Sequence, residues 1–390
     1  MRGGADRCTA ATPGLVRDAF AHLGAAGEAR QKGLPDAHGP YAAGQAVCRG
    51  VGARFCAGEL GNDICARAVP KYVQVRGGGA GSACPGRERA DEILREGKAM
   101  NTVLLKDGKL SARVLAPENS RYNRTRFNHS AFISDVFYDG TRFTQYERNQ
   151  NSGFQSTDGC GLCCGYDGAG LVGDTPVGEW YLKPGVGLIR RGERELGIGD
   201  RAEYLPLDTR MEAEGRRAFF ETQTPEVNGY AYRETRTVTL AGDELLLETT
   251  LANTGERDIV QEEYCHNFLS LGDREIGPGY RLDTPAIPEP ARLNDFPTAH
   301  RLVGDATGFG FSGEILKAFF VRTDDVTAAP VAWRMSHSDA AAFVEEHDSF
   351  APSRIAIWGD YYVLSCEVFI PIALKAGESI TWTRKWRFGV

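Results

Sequence analysis

Apolar and polar residues alternate along much of the chain after residue 100, which is the pattern of strands with one buried face. The clearest case covers residues 237–251, where the turn sequence AGDE separates two alternating runs. In the second run Leu245, Leu247 and Leu251 share one side, whereas Glu248 lies on the other. This alternation predicts a β-hairpin.

Similar runs recur up to the C-terminus, and helical periodicity is weak apart from a short piece at residues 339–346. A β-sandwich or barrel can reach roughly 250 residues or more as a single domain. The pattern therefore predicts an all-β fold, namely a large antiparallel β-sandwich over residues 100–390.

The first 99 residues have a different character. They are rich in Gly and Ala, show little hydrophobic periodicity and are slightly basic, whereas the remainder carries the acidic excess. Such a composition buries too little apolar surface to fold alone. Residues 1–99 are thus predicted to be a poorly ordered, low-complexity extension. Two origins stay open: a genuine disordered tail, or a stretch upstream of a natural start near Met100.

Charge and cysteine content narrow the classes of function. The net charge of −7 disfavours a general nucleic-acid binder. No apolar run is long enough to span a membrane, and the N-terminal residues have no apolar segment typical of a secretory signal. Ten cysteines in such a chain predict reduced thiols in a cytoplasmic protein. We expect a small-molecule ligand, bound by a monomer or a homodimer.

Three of the cysteines cluster in the string DGCGLCCGYDGAG, residues 158–170. A Cys-x-x-Cys spacing can supply half of a tetrahedral zinc site, but no second pair of ligands follows it. The five glycines of the string favour a tight structural loop instead. We therefore predict no metal site here.

Two later strings, EEYCHNFLSLGD at 262–273 and LSCEVFIPIAL at 364–374, have the alternation of strands. It places His266 and Glu367 opposite an apolar side that contains Cys265 and Cys366. A carboxylate among apolar neighbours is costly unless it is used. A histidine and a carboxylate that face each other across a sugar-sized gap can act as acid and base in one step. The competing interpretation of His266 is a structural core histidine.

These residues resemble the galactose mutarotase-like (aldose 1-epimerase) superfamily over residues 100–390. CHNF stands where that family has an Asn-His-x-Tyr-Phe strand with its catalytic histidine. SCEVFIPIALKAGESITWTRKWRF resembles the family's C-terminal segment, and SRYNRTRF resembles its Gly-Arg-Tyr-x-Asn-Arg element. EWYLKPGVGLIRR resembles a Lys-x-Gly-Val-Gly strand of divergent members. The resemblance implies a β-supersandwich with aldose 1-epimerase-like isomerase activity.

The resemblance also implies roles for five residues. His266 would protonate the ring oxygen of a sugar, and Glu367 would take the proton from the anomeric hydroxyl. Arg124 would stand at the family's sugar-binding arginine, with Arg126 and Lys183 as further substrate-binding candidates. No cofactor is expected, since only protons move in such a reaction.

The chain departs from the family at two segments. It has no Leu-His-Gly-Gly segment for the second histidine and no Leu-Asp-His segment for the substrate-binding aspartate, so the identity of the sugar stays open. Candidates for the missing histidine are His129, His300, His337 and His347. Two rival functions also stay open. One is a non-catalytic carbohydrate-binding β-sandwich, and the other is a glycan-degrading lyase or hydrolase, which would need a second domain.

Overall fold

The computed structural model describes residues 102–117, 122–147, 158–284, 302–305, 307–315 and 318–390. The predicted extension at residues 1–99 lies outside the described residues. Every regular element within them is a β-strand, which confirms the all-β prediction. In chain order the strands are β1 (Thr102–Asp107), β2 (Leu110–Leu115), β3 (Ile133–Tyr138), β4 (Thr141–Arg142), β5 (Leu162–Tyr166), β6 (Trp180–Lys183), β7 (Gly187–Arg190), β8 (Tyr204–Pro206), β9 (Thr209–Glu214), β10 (Arg217–Gln223), β11 (Tyr232–Ala241), β12 (Glu244–Asn253), β13 (Ile259–Asn267), β14 (Tyr280–Asp283), β15 (Leu302–Gly304), β16 (Gly308–Phe311), β17 (Phe319–Thr323), β18 (Ala332–His337), β19 (Ala340–Asp348), β20 (Arg354–Gly359), β21 (Leu364–Leu374) and β22 (Ser379–Gly389).

Two large antiparallel sheets dominate the described part of the chain. The order in the first sheet is β1-β2-β3-β5-β13-β21-β20-β17, with β4 attached to β3. The order in the second is β15-β16-β14-β18-β19-β22-β12-β11-β10-β9. A small third sheet has the order β6-β7-β8. Among the described residues, no helix is long and apolar enough to cross a membrane.

The main hydrophobic core takes apolar residues from both large sheets. Cys265 and Val368 belong to the first sheet, whereas Leu247, Val344 and Trp386 belong to the second, and all five are buried. This shared core is the arrangement of a β-sandwich, as the sequence predicts. The predicted hairpin is formed by β11 and β12, in which buried and more exposed residues alternate.

Residues 339–346, expected to form a short helix, lie instead mostly in strand β19. Buried residues alternate with more exposed ones along β19, which is the period of a strand. The strand pairs with β18 on one side and β22 on the other. Tertiary pairing thus outweighs the helix propensity of its alanines.

The cysteine string at residues 158–170 is also corrected, because its centre is a core strand and not a loop. Strand β5 lies between β3 and β13, and it starts just after Gly161, whose φ of 67° suits glycine. Cys163 and Cys164 occupy opposite faces of β5 and belong to different hydrophobic clusters. The described residues contain no group of three or more side chains that could hold a metal ion.

The alternation in β12 can be tested with two neighbouring leucines. Leu247 is 2% exposed in the main core, whereas Leu246 is only half-buried. Leu247→Ala should lower the free energy of unfolding by about 2–5 kcal/mol, because it leaves a cavity. Leu246→Ala should cost less than about 1 kcal/mol. Urea unfolding measures both, and equal losses would contradict the assignment of faces.

Candidate active site

His266 and Glu367 stand directly opposite each other on neighbouring strands. The backbone ladder between β13 and β21 ends at Glu263, and an isolated bridge at Leu269 continues the same register. That register sets His266 against Glu367. Their side chains meet, with Nε2 of the imidazole 3.1 Å from Oε1 of the carboxyl group.

The alternation read from the sequence places both side chains on the correct face. Cys265 and Cys366 lie in the main core on the opposite face. One expectation is corrected: the two groups are not separated by a sugar-sized gap but are in contact. Their side chains are only 2% and 4% exposed. The pair is therefore a buried acid–base contact.

Side chains of four adjacent strands surround the pair on what we call the site face. The register of β5, β13, β21 and β20 places paired residues side by side, in rows that run across the four strands. The rows are Gly165, Tyr264, Phe369 and Arg354; then Cys163, His266, Glu367 and Ala356; then Phe268, Ser365 and Trp358. Most neighbours of the pair are thus aromatic or small.

Three aromatic rings enclose the imidazole of His266. Phe268 stacks on it with ring centroids 4.0 Å apart, and Trp358 meets it edge-on at 5.2 Å. Phe127 approaches edge-on at 5.9 Å. Phe127 belongs to residues 122–132, which follow β2 and precede β3 in the sequence. These residues pack on the site face, and we call them the covering segment.

The covering segment lies directly on β5 at Gly165. A Cβ at this position would be 3.0 Å from the carbonyl oxygen of Arg126 and 3.4 Å from the ring of Phe127. Asn128 then donates its backbone N–H to the carbonyl of Cys164 at 2.8 Å. The glycine therefore permits the close approach that brings Phe127 over the pair.

Burial favours the neutral forms of both groups. It raises the pKa of Glu367 to about 7, although the charge of Arg126 and a hydrogen bond from Ser365 act in the opposite direction. Burial also lowers the pKa of His266 well below its ordinary value, and Arg126 adds to this effect. Below about pH 7 the carboxyl form of Glu367 therefore prevails beside a neutral imidazole, and the contact holds one proton. Nδ1 of His266 is buried and has no hydrogen-bond partner among the described residues.

Of the two predicted arginines, the structure brings Arg126 to the pair. Its Nε donates to the hydroxyl of Tyr264 at 3.1 Å, and its guanidinium lies 4.8 Å from the ring centre of Phe127. Arg124 forms an ion pair with Asp158 at 2.5 Å. The two side chains thus differ in their partners, although only one residue separates them.

Lys183 is buried next to the turn that follows β5. Its Nζ donates to the carbonyl groups of Tyr166 and Gly168. Burial lowers its pKa to about 8, against the opposing charge of Asp167. These contacts give Lys183 a structural role, and substrate binding by this residue stays a prediction.

A charged group at the edge of the site face was missed in the sequence. Arg354 pairs with Asp167 and, at 2.9 Å, with Glu262, and its guanidinium lies 3.9 Å from the ring centre of Phe369. The sequence contains a signal for the position of Arg354, since alternation along RIAIW puts it on the same face as Trp358. Without the pairing of β20 with β21, however, that face could not be linked to Glu367.

None of the candidates for a second histidine is shown next to the pair. His129 is half-buried, and its Nε2 lies 2.9 Å from the carbonyl oxygen of Arg124. His337 and His347 belong to β18 and β19 in the second sheet. His300 lies outside the described residues.

No family model and no curated protein matches the chain. Solved structures do match. The Slr1438 protein from Synechocystis sp. PCC 6803 is 13% identical, with a TM-score of 0.46, over 74% of this chain and 95% of that one. A galactose mutarotase-like protein from Lactobacillus casei is 10% identical, with a TM-score of 0.45, over 74% and 100%. A galactose mutarotase-related enzyme from Lactobacillus acidophilus is 11% identical, with a TM-score of 0.44, over 74% and 97%.

Two of these three structures carry the name of the group that the sequence resembles. At identities of 10–13%, the chemistry of this chain has to be inferred from its own side chains.

The raised pKa of Glu367 predicts a specific dependence of stability on pH. Its folded pKa of about 7 exceeds the ordinary value of 4.5, so the folded state binds the proton more tightly. Its contribution to stability is therefore full below pH 4.5 and is lost as the pH rises to 7. Relative to wild type, Glu367→Gln should gain about 3 kcal/mol between pH 4 and pH 8.

Urea unfolding at several pH values measures this difference. Glu248→Gln, at an exposed position of β12, is the matched control and should show no such trend. A constant difference between Glu367→Gln and wild type at all pH values would contradict the buried-acid assignment.

Proposed function

We propose that this protein is a carbohydrate-active isomerase that interconverts the anomers of an aldose by acid–base ring opening. The observation that supports this function is the buried contact of 3.1 Å between His266 and Glu367. A histidine and a carboxyl group with shifted pKa values, at hydrogen-bond distance, are suited to moving protons.

The side-by-side placement of the two groups suits the geometry of a cyclic sugar. Ring opening removes a proton from the anomeric hydroxyl and adds one to the ring oxygen. Both oxygens are bonded to the same carbon, so the base and the acid have to lie next to each other. A pair separated by the whole width of a sugar would not reach both.

The proton balance of the pair also matches the reaction. The resting contact holds one proton, on the carboxyl group. Its transfer across the contact gives a Glu367 carboxylate and a His266 imidazolium, which are the base and the acid. Glu367 then takes the proton of the anomeric hydroxyl while His266 protonates the ring oxygen, and the C1–O5 bond breaks. Rotation about C1–C2 and reversal of the steps give the other anomer.

Arg126 is the substrate-binding candidate best placed for this reaction. Its charge acts on both members of the pair and stabilises the carboxylate form of Glu367. It is half-buried, and its Nε donates to the neutral hydroxyl of Tyr264. Arg124 and Lys183 stay weaker candidates, because Asp158 and two carbonyl groups occupy them.

The partner proposed here is a small sugar or sugar derivative, and a cytoplasmic location stays a prediction. Saturation-transfer NMR of anomer exchange, with a panel of aldoses and sugar phosphates, is the decisive measurement. Binding without accelerated exchange for every sugar would instead identify a non-catalytic carbohydrate-binding protein. Neither binding nor exchange would reject both functions.

Replacement of His266 separates catalysis from binding. His266→Ala should lower the rate of anomer exchange by about 10²–10⁴-fold, because it removes one member of the acid–base pair. His337→Gln, on the second sheet, is the control and should keep the wild-type rate. An exchange rate of His266→Ala within a factor of two of the control would exclude His266 from catalysis.

The pH dependence of exchange follows from the single shared proton. Loss of that proton inactivates the pair, and Glu367 holds it with a pKa of about 7. Binding of a second proton inactivates the pair at a much lower pH, because the pKa of His266 is well below 6.5. The profile of kcat/KM should be bell-shaped, with its alkaline limb near pH 7. A rate that rises steadily between pH 6 and pH 9 would contradict this proton count.

A further inference from the structure

The backbone ladder between β13 and β21 is interrupted beside the acid–base pair. The backbone N–H of Asn267 donates to Oγ of Ser365 at 2.9 Å, and the side-chain amide of Asn267 donates to the carbonyl of Cys366 at 2.7 Å. Side chains thus replace ladder bonds between the two strands at this point. Ser365 lies two residues before Glu367, on the same face of β21.

The direction of these bonds determines where the hydroxyl proton of Ser365 points. A backbone N–H can only donate, so Oγ of Ser365 is the acceptor from Asn267. The hydroxyl proton is then free for a second partner, and Oε1 of Glu367 lies 3.4 Å from Oγ. Ser365 has no exposed surface, so this donor is enclosed with its acceptor.

Oε1 of Glu367 therefore receives contacts from two sides, from Ser365 and from Nε2 of His266. Both contacts fix the plane of the carboxyl group. A donated hydroxyl proton also favours the charged carboxylate over the neutral acid. Burial acts in the opposite direction on the pKa of Glu367, so the serine offsets part of the cost of charging this group.

Asn267, which donates to Ser365, is itself held by hydrogen bonds on the core side of β13. The amide of Asn267 donates to Oε2 of Glu346 at 2.8 Å, and its Oδ1 accepts from Nε1 of Trp386 at 3.2 Å. Both partners belong to the second sheet. Asn267, and with it the acceptor geometry of Ser365, is thus fixed by the sandwich core.

We propose that Ser365 is a positioning residue, which donates its hydroxyl proton to Oε1 of Glu367 and so holds the carboxylate beside His266 in the charged form that ring opening requires. The catalytic consequence rests on the proposed isomerase function, whereas the bond itself does not. Ser365 has no exposed surface, so it would act through Glu367 and not by contact with a ligand.

The test combines a direct titration with kinetics. Carbon-13 NMR of the glutamate carboxyl groups, with the Glu367 signal assigned by Glu367→Gln, gives the titration midpoint of Glu367. Ser365→Ala should raise this midpoint by about one pH unit, since it removes a donor to the carboxylate. It should also move the alkaline limb of kcat/KM upward by the same amount, and lower kcat by roughly tenfold at an unchanged KM.

Two further variants make the test specific. Ser270→Ala is the matched control, because Ser270 is equally buried, accepts a bond from Gln145 at 3.1 Å and donates to the carbonyl of Gly272 at 2.5 Å. It should leave the midpoint of Glu367 unchanged. Ser365→Cys keeps the size of the side chain but donates weakly, so it should raise the midpoint even if Ser365→Ala does not fold.

A midpoint in Ser365→Ala and Ser365→Cys within about 0.2 pH units of the Ser270→Ala value would overturn the proposal. The titration does not require catalysis. If wild type accelerates no anomer exchange but the midpoint still rises in the Ser365 variants, the isomerase function fails and the hydrogen bond stands. If exchange is accelerated but kcat is unaffected in the Ser365 variants, the positioning role is wrong.

Discussion

The site depends on the register in which β13 pairs with β21. A strand has period two, so a slip of one residue would turn His266 or Glu367 towards the core. The core side contains groups that oppose such a slip. Arg384, from the second sheet, contacts Glu263 of β13 at 2.7 Å and Asp348 of β19 at 3.4 Å. Buried ion pairs add little net stability, but a buried charge left without its partner costs about 3–5 kcal/mol. The ion pairs of Arg384 thus mainly fix the position of β13 relative to the second sheet.

Burial determines the protonation of the pair and makes its charged form costly. Water would hold a free glutamate charged and would leave a free histidine with its ordinary pKa. Among Phe127, Phe268 and Trp358, both groups favour the neutral form and share one proton. The charge of Arg126 and the hydrogen bond from Ser365 favour the charged form of Glu367 and so offset part of this cost.

Local patterns in the sequence were sufficient for some parts of the molecule and not for others. Alternation gave the all-β class and the faces of His266 and Glu367, because strand period is a local property. It did not give their contact, because the pairing of β13 with β21 joins segments about one hundred residues apart in sequence. Arg124 and Arg126 could not be ranked, since they lie in the covering segment, outside any strand. The glycines around β5 favoured a loop in the sequence pattern, although this segment is a strand whose two cysteines face different hydrophobic clusters.

Gly165 has a consequence for how such a protein can diversify. The height of Arg126 and Phe127 above the site face depends on the absence of a side chain at this position. A methyl group there would press on the carbonyl oxygen of Arg126 and the ring of Phe127, which would have to shift by a few tenths of an ångström, whereas His266 and Glu367 lie on other strands. The packing above the pair and the pair itself thus depend on different strands, β5 for the packing and β13 with β21 for the pair. Under the proposed function, a lineage built on this scaffold would change what it binds through β5 and keep its proton chemistry through β13 and β21.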